Sequence, residues 1–538
     1  MENKSIFRKK KLFTKKKIRG ITKSNLNSNL KIAVKGAGII IIGQIIGTII
    51  GLISLMILAR SYSVGEYGLY GLGIFIVSFF LSKSTLGVLE GTPRFISYYR
   101  GCNDDTKIKS TIKSSLFITI LTSTLFAFVI FFLSDFIAFE IFGIEELSDV
   151  IKTIVISIPF WAIIRLIIGI FRGFESTKEN VYFSNISLGL LKIPFFSVVV
   201  IIGLSFNYII VAHVLSVFVT FLIAIIYFKK RSPFSFGEIK KVPFELKSLL
   251  GFSLPLIFSG MGWFFISGAD KLMLGIMATE IEVGLYNSAV PLAQYLKFFL
   301  STIIFVYMPI ASRLLAENKV AELKRNYQIL TKWLCLISFP IITILLFVPE
   351  KVIFIIFGSK YLSASFALRL LTIAYFTHLL FGPNGTTITS IGKTKIVMYF
   401  TLAGGLINII LNSFFIPLYS INGAAFSTMV SLILINLLNG LYLYKISKIH
   451  PFNKNYVIPI FSSLLILFLL YYLSLQIENG HSSYIFRIFS IVLLILFYYA
   501  VMLVSRSYDK EDIELLVLFE EKIGINLKII RNILRRFI

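Results

Sequence analysis

The chain is poor in the residues from which metal centres, disulfide frameworks and hydrolytic sites are built. It has four histidines and two cysteines in 538 residues. Cys102 and Cys335 lie outside any CxxC or Cys/His cluster, which argues against a disulfide scaffold and a zinc site. No HExxH, GxSxG or metal-ligand cluster occurs. Gly392-Lys393-Thr394 has the ending of a phosphate-binding loop, but its first glycine would fall at Thr387. An apolar span precedes it instead of a buried strand, so no nucleotide site and no cofactor are expected. Charge is also scarce: 15% of residues are Asp, Glu, Lys or Arg, against about 25% in soluble domains. No long polar stretch separates one apolar run from the next. A chain of this length is therefore read as one membrane unit rather than several soluble domains.

Long apolar runs fill what remains. Fourteen stretches occupy approximately 38–59, 69–90, 114–134, 151–171, 182–204, 208–228, 250–275, 285–307, 329–348, 366–388, 396–416, 423–443, 455–475 and 486–505. A helix needs about 20 apolar residues to cross the hydrocarbon core. With no water to satisfy backbone groups there, such runs must be helices. The basic first 35 residues are not followed by a short apolar core and cleavage site, so the run from Gly38 reads as an uncleaved signal anchor.

The net charge of +26 is mostly a topology signal. Of the 53 Lys and Arg residues, 42 fall in the two tails and in alternate loops. Seven fall on the opposite side: Arg60, Lys152, Lys271, Lys351, Lys360, Arg369 and Arg487. This places both termini in the cytoplasm and argues against a nucleic-acid partner. The acidic loop after the third helix (Asp135, Glu140, Glu145, Glu146, Asp149) reads as a solvated external face. The tail from Asp509 has helical apolar spacing and a basic end at Arg531, Arg535 and Arg536. It suits either the anionic inner leaflet or the base of the bundle.

The two halves repeat. Gly68-Leu69-Tyr70 recurs as Gly284-Leu285-Tyr286, and Pro93 as Pro309, each 216 residues later. Ile141-Phe142-Gly143 recurs as Ile356-Phe357-Gly358, and Tyr182-Phe183 as Tyr399-Phe400, within one residue of that offset. Six helices separate equivalent points, so the halves share an orientation, and a pseudo-two-fold axis along the membrane normal is expected. The predicted organisation is a basic cytoplasmic tail (1–37), a lobe of helices 1–6 (38–228), a cytoplasmic linker (229–249) and a lobe of helices 7–12 (250–443). Helices 13 and 14 (455–505) and a cytoplasmic amphipathic helix (506–538) follow. Substrate is expected between the lobes.

Four cations lie within spans: Lys83, Arg165, Lys192 and Lys297. Each costs roughly 2.5–3.5 kcal/mol at a helix centre on insertion scales. Glu90 and Asp270 are the acidic residues there, so the interior is net positive and suits an anionic, phosphate-bearing substrate. Structural pairing or headgroup contact is the alternative for each cation. Asp270, beside Lys271, is expected in a local ion pair, and Glu90 and Asp270 are also candidates for coupling protons or gating. Pro383-Asn384 marks a break in the tenth helix. His213 and His378 read as packed histidines.

Three segments resemble a known family: "LARSYSVGEYGLYGLG" (58–73), "PEKVIFIIFGSKYLSASFALRLL" (349–371) and "GKTKIVMYFTLAGGLINIILNSFFIPLYSINGAAFSTMVS" (392–431). They are similar to the polysaccharide transporter family of O-antigen and oligosaccharide flippases. That family sits in the multidrug/oligosaccharidyl-lipid/polysaccharide exporter superfamily. The resemblance implies an all-α, V-shaped fold of fourteen helices. It also implies transport of a polyprenyl-phosphate-linked glycan from inner to outer leaflet. No enzymatic step is expected; with no nucleotide site, the expected drive is an H+ or Na+ gradient, the membrane potential or the substrate's own gradient, and glycan-assembly enzymes are candidate partners. A multidrug-type cation antiporter is the runner-up. It is disfavoured because the first helix offers Gln44 and no carboxylate. A membrane glycosyltransferase is disfavoured by the short loops. Richness in Lys, Ile and Asn suggests an AT-rich prokaryote.

Overall fold

The computed structural model describes residues 43–176, 178–254, 261–452, 457–462, 465–466, 469, 481–505 and 507. The expected thirteenth helix lies largely outside these residues. So do the basic N-terminal tail and, Ser507 apart, the amphipathic C-terminal segment. Among the described residues every regular element is helical. Eight helices are long and apolar enough to span a membrane, or nine if Glu146–Val155 and Ile158–Gly173, bent by 43°, count as one.

In chain order these are α1 (Gly43–Ser61), α2 (Val64–Ser84), α3 (Val88–Gly101) and α4 (Asp105–Phe136). Then come α5 (Glu146–Val155), α6 (Ile158–Gly173), α7 (Lys178–Ile202) and α8 (Phe206–Arg231). Two short helices, α9 (Phe236–Lys241) and α10 (Leu246–Ser253), lead to α11 (Met261–Met277). The second half continues with α12 (Glu280–Gln294), α13 (Leu296–Ala316), α14 (Val320–Phe347) and α15 (Pro349–Ile356). It closes with α16 (Ser365–Leu380), α17 (Asn384–Ser390), α18 (Thr394–Ser447) and α19 (His481–Val504).

Several expected spans are interrupted, each for a local reason. The second breaks between α2 and α3, where Leu86 and Gly87 take positive φ (49° and 73°). A Cβ on Gly87 would stand 2.1 Å from the Ser253 carbonyl oxygen. The tenth breaks between α16 and α17 at Gly382, with φ 60°. The carbonyl of Phe381 freed there accepts the Tyr327 hydroxyl, which satisfies a group lipid could not. Helix α18 turns back at Ser420 (φ 48°, ψ −127°), and its limbs pack antiparallel through small residues. A Cβ on Gly423 would lie 2.0 Å from the Phe415 carbonyl, and one on Gly404 2.2 Å from the Ile435 side chain. Small residues of this kind let helices approach closely in lipid. Large apolar side chains such as Phe128, Phe132, Phe414 and Leu418 point outward, as lipid contact requires.

The repeat is visible in how α2 meets α12. Each begins with a capping box, Ser63 with Glu66 and Thr279 with Glu282, 216 residues apart. The contact is reciprocal. A Cβ on Gly68 would stand 1.8 Å from the Glu280 carbonyl oxygen, and one on Gly284 would stand 2.0 Å from that of Val64. Only glycine permits both. The two halves share one buried cluster here, including Tyr67, Leu72, Phe142, Tyr286, Phe357 and Tyr361.

At their other ends the paths diverge. Helix α3 packs on α4, α6 and α10, while α13 packs on α14, α16 and α17.

Candidate functional site

Two polar clusters lie among these apolar helices. In the second half, Asp270 on α11 is 4% exposed. Its carboxylate accepts hydrogen bonds from Tyr286 Oη on α12 (2.7 Å), Asn412 Nδ2 (2.9 Å) and the Thr428 hydroxyl. Asn412 Nδ2 also donates to Asn408 Oδ1 at 3.2 Å, and Asn408 Nδ2 donates to Thr428 Oγ1 at 3.3 Å. Asn408 and Asn412 sit one turn apart on the first limb of α18 and Thr428 on the second, so the sharp return at Ser420 brings them together. The sequence reading expected Asp270 to pair with Lys271. The hydrogen-bond donors instead come from α12 and α18. A buried carboxylate needs a compensating charge or a proton. Here two hydroxyls and one amide N–H donate to it, and the Asn412 Oδ1 beside them has no hydrogen-bond partner. Hard oxygen donors of this kind suit a proton or an alkali cation. Among the described residues, no group of three or more His, Cys, Asp or Glu is placed to hold a metal ion.

In the first half, Lys192 Nζ on α7 donates to Tyr70 Oη on α2 at 3.4 Å. Tyr70 Oη lies 3.0 Å from His213 Nδ1 on α8. Tyr70 and His213 are buried and Lys192 half-buried. Among the described residues no carboxylate forms an ion pair with Lys192.

Each of the other candidate cations lies beside an aromatic ring. Lys83 is half-buried, 5.7 Å from the Phe79 centroid. Exposed Arg165 lies 5.4 Å from Trp161. Half-buried Lys297 lies 4.7 Å from Tyr375, on the same face of α16 as His378, whose Nδ1 is 2.9 Å from Asn436 Oδ1. Cation–π contact lowers the cost of a cation without neutralising it. Asn384, at the start of α17, donates to the Asn436 carbonyl at 3.2 Å, and Pro383 occupies the gap before it. Glu90 binds Arg172 at 2.8 Å, with both side chains more than half exposed.

The sequence reading counted Arg60 and Lys360 only as loop charges. They tie the halves together where the capped ends of α2 and α12 meet. The Arg60 guanidinium donates to the carbonyls of Ile356 (3.2 Å), Phe354 (3.4 Å) and Ile355 at the C-terminus of α15. That is the helix end that favours a cation. Tyr361 Oη donates to the Ala59 carbonyl at 3.2 Å, Lys360 Nζ to that of Tyr62 at 3.4 Å and Tyr67 Oη to that of Asn287 at 3.2 Å. The Tyr67 and Tyr361 rings meet edge to face at 5.6 Å.

Known proteins share this architecture. A family model described as polysaccharide biosynthesis protein matches residues 33–315, and one described as MatE matches 255–414. A probable low-salt glycan biosynthesis flippase, Agl15 of Haloferax volcanii, is 24% identical over 38% of this chain and 44% of its own length. The teichuronic acid biosynthesis protein TuaB of Bacillus subtilis is 28% identical over 24% of this chain and 27% of its own. The chain thus spans less than half the length of the curated relatives it matches. Among solved structures, the lipid II flippase MurJ in an inward closed conformation superimposes with TM-score 0.64 at 16% identity, covering 86% of this chain and 97% of that one. An inward-facing multidrug resistance MATE family transporter of the MOP superfamily gives 0.62 at 15%, covering 74% and 93%. At such identities the likeness shows the fold alone.

Proposed function

The chain belongs to the polysaccharide biosynthesis protein family, and on that premise we propose that it is a flippase. It moves a polyprenyl-phosphate-linked oligosaccharide or polysaccharide precursor from the inner to the outer leaflet by alternating access, and catalyses no chemical step. Of fourteen helices, twelve form two six-helix lobes, 38–228 and 250–443, related by a pseudo-two-fold along the membrane normal. The linker 229–249 joins them, helices 13 and 14 (455–505) lie outside the repeat, and the whole is V-shaped. Both termini, with the segments 1–37 and 506–538, face the cytoplasm of a prokaryotic cell. The reciprocal packing of Gly68 and Gly284 supports the lobe relation, and the loop-charge split supports the orientation. With that orientation, the capped ends of α2 and α12 form the closed outer side.

The observation that carries the reading is the combination of one premise and one geometry. The family is one of glycan assembly, and the cations inside these spans stand beside rings and hydroxyls. Lys83, Lys297, Arg165 and Lys192 line the cationic path for the phosphate. Pro383 and Asn384 break a helix beside it, leaving room for the sugar, while the lipid tail stays in the bilayer. The Asp270 cluster takes the coupling ion, H+ or Na+. The Glu90–Arg172 pair holds α3 on α6 and shapes the inner gate. Glycan-assembly enzymes supply the substrate.

The test is Lys83→Ala combined with Lys297→Ala. Surface glycan is expected to fall to background while protein level in the membrane is maintained; normal glycan would reject the phosphate path. The alternative, a cation antiporter, draws on the interior carboxylate of Asp270. Efflux of cationic dyes by purified protein in vesicles would favour it.

A further inference from the structure

A cleft of about 350 Å³ lies between α1 and α7, near the C-terminal ends of both helices. That volume is at the lower end of the roughly 300–1,000 Å³ typical of ligand sites. Met56, Ile57, Val200 and Ile201 give it apolar walls, and Arg60, Ser61 and Ser197 stand among them. The ends of the two helices are tied together by Tyr62 Oη, which donates to the Leu204 carbonyl at 2.9 Å. The walls run out onto the surface of the bundle, where Ile201 is 82% exposed and Val198 52%. In a spanning protein such a surface meets acyl chains rather than water.

Acyl chains are as apolar as these walls, so the cleft by itself prefers no lipid over another. Selectivity must come from the polar groups at its rim. The Arg60 guanidinium uses Nε and Nη2 on the carbonyls at the end of α15, and its Nη1 donates to nothing among the described residues. Carbonyls disperse the charge without cancelling it. Lys360, from the second half, places an ammonium 3.4 Å from the Tyr62 carbonyl. Among the described residues neither cation forms an ion pair with a carboxylate, and Glu66 on the next helix is held in its own capping box with Ser63. The Ser61 and Ser197 hydroxyls make no hydrogen bond among the described residues either, whereas Ser54 on α1 closes onto the Ile50 carbonyl at 3.0 Å. The rim therefore offers a cation with spare N–H donors and two spare hydroxyls above apolar walls. That is the chemistry of a phosphate headgroup with its chains below.

We propose that the α1–α7 cleft holds an anionic phospholipid of the outer leaflet, its phosphate on Arg60 Nη1, and that this lipid favours the closed capped end. The leaflet rests on the orientation taken in the flippase reading, whereas the site itself does not depend on what the protein carries. With the capped end closed, Arg60 of the first half and Lys360 of the second stand at one joint. When that end opens, Lys360 leaves with its own half and the headgroup keeps Arg60 alone. A ligand shifts a two-state equilibrium by the difference in its affinity for the two states. The lipid therefore holds the joint shut, and the composition of the outer leaflet sets how readily it opens.

The probe is phosphatidylglycerol, set against phosphatidylcholine, in nanodiscs of full-length protein. Lipid retained on the protein after release from the disc is counted by native mass spectrometry. Wild type is expected to retain phosphatidylglycerol at least fivefold over phosphatidylcholine. Arg60→Gln is expected to abolish that preference, and Arg60→Lys to keep it to within threefold. Ser197→Trp fills the cleft without removing the Arg60 bonds and is expected to weaken retention as much as Arg60→Gln; Ser197→Leu serves if the tryptophan variant fails to insert. Adding phosphatidylglycerol is expected to raise the closed fraction of a spin-label pair at Glu66 and Ile281 two- to fivefold in wild type, and to leave it unchanged in Arg60→Gln. Unchanged preference in Arg60→Gln would overturn the site. So would full retention in the cleft-filling variant, which would leave only a charge at the membrane surface. A closed fraction that falls on adding phosphatidylglycerol would overturn the coupling. Displacement of phosphatidylglycerol by equimolar farnesyl pyrophosphate would make the cleft a station for the substrate and overturn the lipid assignment. None of these readouts is glycan export, so failure here leaves the flippase reading standing, whereas normal glycan in the Lys83→Ala, Lys297→Ala protein would strike that reading's phosphate path and not this cleft.

Discussion

The two ends of the α2–α12 pair are built from one repeat and are held in opposite ways. At the capped end, glycines 216 residues apart bring backbone against backbone, and Arg60, Lys360, Tyr361 and Tyr67 bind carbonyls of the other half. At the far end, α13 packs within its own half, while α3 packs on α4 and α6 of its half and receives α10, which runs from the linker into the start of the second half. The linker is strapped to the same side: Lys113 Nζ donates to the carbonyls of Lys240 and Val242, and Tyr99 Oη donates to Glu245 at 2.7 Å. The lesson is that closure at one end is specified by positions, glycine above all, whereas divergence at the other follows from helices having separate partners. A contact of hydrogen bonds to backbone carbonyls can be exchanged for water at modest net cost, about 0.5–1.5 kcal/mol each. It is therefore a joint that can open without unfolding either half.

This comparison can be broken most severely at the glycines. Gly284→Val would place side-chain atoms inside the space of the Val64 carbonyl. Overpacking of this kind costs typically 1–3 kcal/mol, concentrated at the joint. Closure is expected to fail, with cysteine accessibility at residue 67 or 287 rising more than tenfold and glycan export falling below a tenth of wild type. A cysteine pair at Gly65 and Glu280, where a Cβ on Gly65 would stand 3.2 Å from Glu280 Cγ, should do the reverse. Oxidation is expected to lock the capped end and stop export, and a reductant to restore it to at least half.

Smaller effects sharpen the picture. Arg60→Ala removes the guanidinium from the end of α15. Because the side chain is exposed and screened by solvent, we expect a two- to fivefold shift of population toward an open capped end, measured by the same accessibility. Glu90→Gln breaks an ion pair whose side chains are 65% and 51% exposed. Such pairs contribute about 0–1 kcal/mol, so export is expected to change less than twofold, and a larger loss would show that the pair does more than hold α3 on α6.

Much of this frame was legible in the sequence because lipid imposes simple rules. Apolar runs of sufficient length become helices, and the repeat at Gly68 and Gly284 announces equivalent positions before any coordinate is known. The breaks were less visible. Leu86 carries the positive φ next to Gly87, and a leucine gives no signal for it. Asn408 and Asn412 look like isolated polar residues in an apolar run. Their spacing of four placed them on one helix face, but their partner Asp270 is 142 residues away from Asn412 in sequence, beyond the reach of local pattern. Lys271, adjacent to Asp270, is the partner that local pattern offers, whereas the hydrogen bonds to the carboxylate come from Tyr286, Asn412 and Thr428. Arg60 was counted only for topology because its acceptors are backbone carbonyls, which leave no mark in the sequence.

The central claim is that the halves rock as units about the α2–α12 contact. Spin labels at Tyr98 on α3 and Ser312 on α13, both exposed, report the far end. A second pair at Glu66 and Ile281 reports the capped end, with Cys102 and Cys335 replaced by serine. Distances measured by pulsed electron resonance in nanodiscs, with and without sodium and farnesyl pyrophosphate, are predicted to show two populations whose changes are opposite in sign at the two ends. A single invariant distance at both ends, in protein that still exports glycan, would contradict the account.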